Sequence, residues 1–442
     1  MSSDFQATSS TSGALRDAPR TPSWKAAFAY RDFNLYGAAR ILVILGAQMQ
    51  SVAVGWQVYA LTGRPLALAW VGLALFLPAV GLALVTGHTA DRVERRRILM
   101  VCSGALSALC GALFFLARTS HPHLLAIYAV LVGVGTVRAF QGPANQAMLP
   151  ALVRREDFGN AVAWGSSFWQ FATIVGPTLG GIVYASTGGA GFVYAIAAVL
   201  PFIALVLLAF IEPHPQARRN APTDLHSLLA GVRYIASSPV VLGATSLDLF
   251  AVLLGGATAL LPVYARDILH LGPWALGLLR SSPAIGGGAM GILLALRPLD
   301  RHAGRTMLLC VAVFGLATIV FGVSRSFLLS LACLLVLGAA DMVSVFVRSA
   351  LVQLATPDAM RGRVSAINML FIGASNELGE VESGITAQWF GTVPAVVVGG
   401  LGTLLVVAVW AWRFPALKRV DRLRDVVTAA AIAAERDRGS GV

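Results

Sequence analysis

The sequence predicts an all-α membrane protein in which twelve transmembrane helices are arranged as two six-helix bundles, and three observations predict it. Of the 442 residues, 57% are hydrophobic and only 12% are charged. That is more apolar surface than one or two water-soluble cores can bury, so lipid must be the solvent. Nearly uncharged stretches of about 20 residues, the length that crosses a hydrocarbon core of roughly 30 Å, recur through most of the chain. The charged residues between them recur at equivalent places in two halves, as a duplication leaves them.

Taken in order, helices are expected near Phe33 to Leu61, Leu66 to His88, Ile98 to Arg118, Leu124 to Ala144, Gly159 to Ser186 and Gly191 to Ile211. A second set is expected near Val240 to Tyr264, Ala275 to Leu296, Met307 to Val323, Phe327 to Val347, Val364 to Trp389 and Val393 to Trp412. Residues 1–32 form an N-terminal tail whose start, Met1 to Ser23, is rich in Ser, Thr, Ala and Asp. It has no apolar core followed by a small-residue cleavage site, so the first helix is expected to direct insertion. The first bundle then covers 33–211, the second 239–414, and a C-terminal tail 415–442. Residues 212–238 between them, with Pro213, Pro215, Arg218, Arg219 and Pro222, are the natural boundary. Within that loop, Asp224 to Ile235 has the pattern of a short amphipathic helix lying at the membrane surface.

The net charge of +12 does not point to nucleic acid, because the arginines fall in small groups between apolar stretches and build no basic face. They suit topology instead. Arg92, Arg95, Arg96, Arg97, Arg154, Arg155, Arg218, Arg219, Arg301, Arg305, Arg361, Arg363, Lys418 and Arg419 all fall on one side, against mainly Arg64, Arg118, Arg266 and Arg325 on the other. The positive-inside rule then puts both termini and the central loop in the cytoplasm. Cys102, Cys110, Cys310 and Cys333 lie in apolar segments without metal-ligand spacing, and the seven histidines sit at loops or helix ends. No metal, no cofactor and no Ser/His/Asp enzyme centre is expected, and no Gly-rich loop ending in Lys-Ser or Lys-Thr cradles a nucleotide.

Two loop and helix motifs stand out. Gly87-His88-Thr89-Ala90-Asp91-Arg92-Val93-Glu94-Arg95-Arg96 has an echo in Asp300-Arg301 followed by Gly304-Arg305. Gly87 permits close approach at a helix end, and Asp91 can pair with arginines or with a helix N-terminus; Arg92 to Arg97 could also simply contact anionic lipid. In the fifth helix Gly176, Pro177, Gly180 and Gly181 allow backbones to meet and bend the helix, and a weaker echo runs from Gly379 to Gly384.

The eleventh helix carries Asn376, Glu377, Glu380 and Glu382 inside an apolar run. Each ionised side chain there costs roughly 2.5 to 3.5 kcal/mol, so these groups should face a cavity or a partner. Their spacing puts Asn376, Glu377 and Glu380 near one face, where they could carry protons, touch substrate or pair with arginines such as Arg40 or Arg138. Asp248 and Asp341 are further candidates inside their helices. Arg40, Arg138 and Arg348 stand near expected cytoplasmic ends, where a long side chain can reach the interface.

The loop from Gly87 to Arg96 resembles the cytoplasmic signature of the major facilitator superfamily, with Glu94 in place of its second glycine. The Gly176 to Gly181 segment looks like the motif of its exporters and antiporters, with Ala163 and Ala172 where that motif has glycines. Gln141 to Pro150, Met360 to Ala366 and Gly373 to Glu380 resemble the bacterial branch that holds siderophore exporters and related secretion proteins. The resemblance covers about Asp32 to Arg413. It implies a multi-pass transporter of the bacterial inner membrane, in which the loop motif latches the halves and a mid-membrane site takes a small molecule by alternating access. Siderophore-like or drug-like export by proton antiport is the implied activity, in a protein that is a monomer and partners with substrate, protons and lipid. A solute uptake facilitator or a lysolipid flippase would share the fold. The first helix offers the amides of Gln48 and Gln50 where many drug–proton antiporters of the superfamily carry an acid.

Overall fold

A computed structural model describes residues 24–82, 85, 86, 89, 92–119, 122–212, 225–299 and 301–421. In the first half the helices are α1 (Arg31–Thr62), α2 (Pro65–Gly81), α3 (Arg95–Arg118), α4 (Leu124–Leu152), α5 (Phe158–Thr187) and α6 (Ala190–Ala209). A short helix α7 (Leu225–Ser237) precedes the second half: α8 (Pro239–Leu254), α9 (Pro273–Leu296), α10 (Ala303–Val323), α11 (Phe327–Ala355), α12 (Asp358–Phe390) and α13 (Thr392–Arg413). Among the described residues, nine of these spans are long and apolar enough on their own to cross a bilayer, α8 counting together with its continuation to Ile268. Of the rest, α2 is short, while polar and ionisable residues interrupt α5 and α12.

Helix ends follow local chemistry. After α1 the chain turns at Gly63, whose φ of 59° is open to glycine, and its N–H donates to the Tyr59 carbonyl at 2.8 Å. Pro65 then starts α2, where a missing N–H costs nothing. The expected seventh helix runs unbroken to Tyr264, but α8 stops at Leu254. Gly255 and Gly256 break it, and a 3-10 turn (Ala257–Leu260), a short helical stretch (Leu261–Val263) and a π turn (Tyr264–Ile268) carry the chain onward. A side chain at Gly255 would lie 2.6 Å from the Phe314 ring, and one at Gly256 2.7 Å from the Gly379 carbonyl, so packing demands glycine at the break.

The two halves pair their helices alike. α1 packs on α5 and α6, α3 on α4 and α6, and α2 on α4; correspondingly α8 packs on α12 and α13, α10 on α11 and α13, and α9 on α11. The main contacts between halves, α5 with α9 and α2 with α12, are also equivalents. Large apolar side chains such as Phe115, Leu125 and Trp412 point outward, more than 70% exposed. Such a surface is stable against lipid and not against water. α7 rests on the α12 end, where a side chain at Gly231 would strike Ile367, and the Tyr234 hydroxyl donates to the Ala355 carbonyl at 2.5 Å.

Candidate functional site

Small residues bring the bundles together. A side chain at Gly181 of α5 would come 3.0 Å from the Gly277 Cα of α9, and one at Gly277 would come 2.5 Å from the Pro177 carbonyl. Gly176 and Gly180 face the other way, onto Gln48 and the Met49 backbone of α1. One helix is thus stripped of side chains on two faces, so α1 and α9 both reach its backbone. Deeper in, Ser281 donates to the Ile174 carbonyl at 2.6 Å and lies 2.8 Å from the Thr178 hydroxyl. The Gln170 amide bonds to the Ala284 carbonyl. Across the opposite seam, Gly384 of α12 meets Ala69 of α2. At the end away from the termini, Tyr59 donates to Asp267, and Arg266 to the Tyr59 carbonyl at 3.3 Å. These contacts fall from that end to mid-depth; nearer the termini, Gln146 approaches the Met369 sulfur at 3.3 Å.

Where the seam stops, four charges converge. Arg138 of α4, Arg280 of α9, and Glu377 and Glu380 of α12 line one cavity of about 90 Å³ with Ser51 and Gly55 of α1. Glu380 sits against Gly72 of α2, where a built Cβ would lie 3.2 Å from Oε2, and Glu377 Oε2 lies 3.9 Å from the same point. The bare glycine gives the two carboxylates room there, and any side chain would press on Glu380. Two acids and two guanidinium groups balance, so the cluster can be buried at mid-membrane without net charge. Arg280 is absent from the sequence expectation, although a lone arginine inside an apolar helix carried the same signal as the glutamates. Arg138, expected either to pair with these carboxylates or to reach toward the interface, lines this cavity.

A larger cavity of about 490 Å³ opens toward the terminal end. Its wall includes Tyr36, Arg40, Asn145, Gln146, Trp169 and, from the second bundle, Met369. Among the lining residues Arg40 is the one full charge.

The other expected residues lie elsewhere. Asn376 is exposed and donates to its own helix at the Ile372 carbonyl, 2.9 Å away. Glu382 is half-buried, with its carbonyl taking the Thr386 hydroxyl at 2.9 Å, and lines neither cavity. Gln48 packs its stem on Gly176. Asp248 forms a buried ion pair with Arg348, which is 2% exposed and does not reach the interface; Asp341 lies beside them inside the second bundle. Gly87, Asp91 and Asp300 of the loop motifs fall outside the described residues. Arg92, Arg301 and Arg305 are exposed. Arg95 donates to the Ala147 carbonyl at 2.7 Å, and Arg96 to those of Leu208 and Ala209 at 3.0 and 2.6 Å. The last two cap the C-terminal end of α6, a favourable place for a cation.

Comparisons with known proteins follow this geometry. The sequence profile of a family described as transmembrane secretion effector matches residues 22–441. An enterobactin exporter, EntS, of Citrobacter koseri is 30% identical over 390 residues, 87% of this chain and 86% of that protein. The Escherichia coli protein of the same name is 28% identical over 388 residues, with the same two shares. Among solved structures, a bacterial homologue of the lysosomal transporter Spinster, inward-facing and unoccupied, matches with a TM-score of 0.67 at 12% identity, covering 92% of this chain and 99% of that one. The xylose transporter XylE of E. coli, inward open, matches with 0.66 at 13% identity, covering 91% and 99%. A bacterial homologue of the iron transporter ferroportin, inward-facing, gives 0.65 at 16% identity, covering 86% and 98%. These structures share the fold. With its paired six-helix bundles and a profile match along nearly its whole length, the chain is a multi-pass membrane transporter, not an enzyme, and belongs to the transmembrane secretion effector family of the major facilitator superfamily.

Proposed function

We propose that this protein exports a small anionic, siderophore-like or drug-like molecule from the cytoplasm across the bacterial inner membrane, in exchange for protons. The observation that carries the reading is the convergence of Glu377, Glu380, Arg138 and Arg280 from both bundles on one cavity. The positive-inside distribution makes the terminal end cytoplasmic. The large cavity then faces the cytoplasm, and its Arg40, amides and aromatic rings suit a molecule with acidic and aromatic groups. The relatives named for enterobactin export support the direction and the compound class.

In this mechanism substrate enters the cytoplasmic cavity and its acidic group competes with a glutamate for Arg138 or Arg280. Protonation of a glutamate weakens its attraction to the nearby arginines, and rocking of the bundles about the Gly181–Gly277 crossing moves the opening to the other side. The loop motif of Gly87, Asp91, Arg92, Arg95 and Arg96, with Asp300, Arg301 and Arg305, latches the cytoplasmic ends while the outer side is open.

Inside-out proteoliposomes given a labelled catechol-type siderophore and an imposed pH gradient test this. The expected result is gradient-driven accumulation that Glu380→Gln, which removes a titratable charge from the cluster, reduces by about tenfold or more. Transport indifferent to the gradient would remove proton coupling, and absence of any transport would remove the substrate class.

A further inference from the structure

A second charged cluster lies outside the passage, entirely within the second bundle. Asp248 of α8 accepts from Arg348 of α11, their side chains 6% and 2% exposed. Asp341, seven residues before Arg348 and on the same helix face, lies roughly 10 Å from it along the axis. Asp341, Asp248 and Ser344 line a small space with Val311 and Phe314 of α10. That space offers a water-sized sphere about 10 Å³, room for one water-sized occupant at most.

Two features mark this as more than a group of acids. The Ser344 hydroxyl, on a residue 2% exposed, has no hydrogen-bond partner, and neither has the equally buried Thr245 hydroxyl or the Arg348 Nε. The charges also do not balance. Two carboxylates meet one guanidinium, and among the described residues that line the space no further charged side chain is present. The α9 surface against α11 is glycine at Gly286, Gly287 and Gly291, and Glu377 and Glu380 of α12 face Gly72 instead. A surplus negative charge buried at this depth is costly and needs one compensating positive charge.

We propose that Asp341, Asp248 and Ser344 form a binding site for a single monovalent cation, either a proton held on the Asp341 carboxyl or one sodium ion, separate from the substrate passage. Carboxylate and hydroxyl oxygens are the ligands such a hard cation takes. The site has a short mechanical route to the passage. Val252 lines it, and the Val252 and Leu253 carbonyls lie 3.0 and 3.1 Å from where a side chain on Gly379 of α12 would stand. Gly379 is the neighbour of Glu380, and the α8 break at Gly255 follows two residues after Leu253. Occupancy therefore bears on the helix that carries the passage carboxylates.

The test measures cation binding alone, so its failure leaves the export proposal standing. Full-length protein in detergent is titrated with radioactive sodium by scintillation proximity, and, without sodium, by the infrared carboxylic-acid stretch across pH. Saturable sodium binding that Asp341→Asn weakens by about tenfold or more identifies a sodium site. A titrating carboxylic-acid band lost in Asp341→Asn, with no sodium bound, identifies a proton site. Ser344→Ala, which changes no charge, should weaken sodium binding about three- to tenfold or displace the band, and decides the matter if Asp341→Asn does not fold. The proposal is overturned if wild type shows neither signal, or if Glu377→Gln and Glu380→Gln abolish them while the Asp341 and Ser344 variants leave them intact.

Discussion

The charged cluster between the bundles and the one inside the second bundle use the same groups for opposite ends. Arg138, Arg280, Glu377 and Glu380 come from α4, α9 and α12, so rocking changes which of them meet. Asp248, Arg348 and Asp341 come from α8 and α11 of one bundle, and move together. The first cluster is balanced and lies between the bundles. The second lies within one bundle and sets two carboxylates against one guanidinium. Charges between rigid bodies can be exchanged by motion, whereas charges within one body can change only by gaining or losing a cation.

The buried Asp248–Arg348 pair should be the more fragile under mutation. Arg348→Met leaves Asp248 buried without its partner and is expected to cost about 3–5 kcal/mol, with most of the loss recovered in the double variant with Asp248→Leu, as read by thermal melting in detergent. Equal destabilisation in single and double variants would contradict the contrast. At the seam, Gly277→Val forces a branched side chain against the Pro177 carbonyl and should cost about 1–3 kcal/mol. It should also open the end away from the termini, seen as a longer spin-label distance between Leu61 and Leu271. At the rim away from the termini, Tyr59→Phe removes the bond to Asp267 and should shift the conformational balance by about 0.5–1.5 kcal/mol, read from spin-label distances. Least of all, Arg97→Ala, which removes a surface pair with Glu94 at 2.8 Å, should leave the melting temperature nearly unchanged, within about 0.5 kcal/mol.

Much of this was legible in the sequence because lipid enforces simple rules. Length and hydropathy set the spans, and the glycines of the fifth helix marked a close crossing. Glu377 and Glu380 announced themselves as acids in an apolar run. Partnership was not legible. Arg138 and Arg348 read alike as arginines near helix ends, yet one lines the passage and the other neutralises Asp248 inside a bundle. That difference depends on which helix is opposite, a long-range property. Asn376 shows the limit of spacing. It stands only about 40° around the helix from Glu380, yet it is exposed and its amide is satisfied by its own backbone. The break in α8 followed from Gly255-Gly256, but the need for it lies in Phe314 and Gly379, far away in sequence.

The central claim is that the bundles open one end of the passage as they close the other. Spin labels at Gln146 and Met369 report the terminal-end mouth, and labels at Leu61 and Leu271 the opposite rim, after replacement of Cys102, Cys110, Cys310 and Cys333, which are free. Paired distance distributions, measured in lipid with and without substrate and across pH, should change in opposite senses, the first pair closing as the second opens. Distances that stay fixed under every condition, or that lengthen together at both ends, would contradict the account.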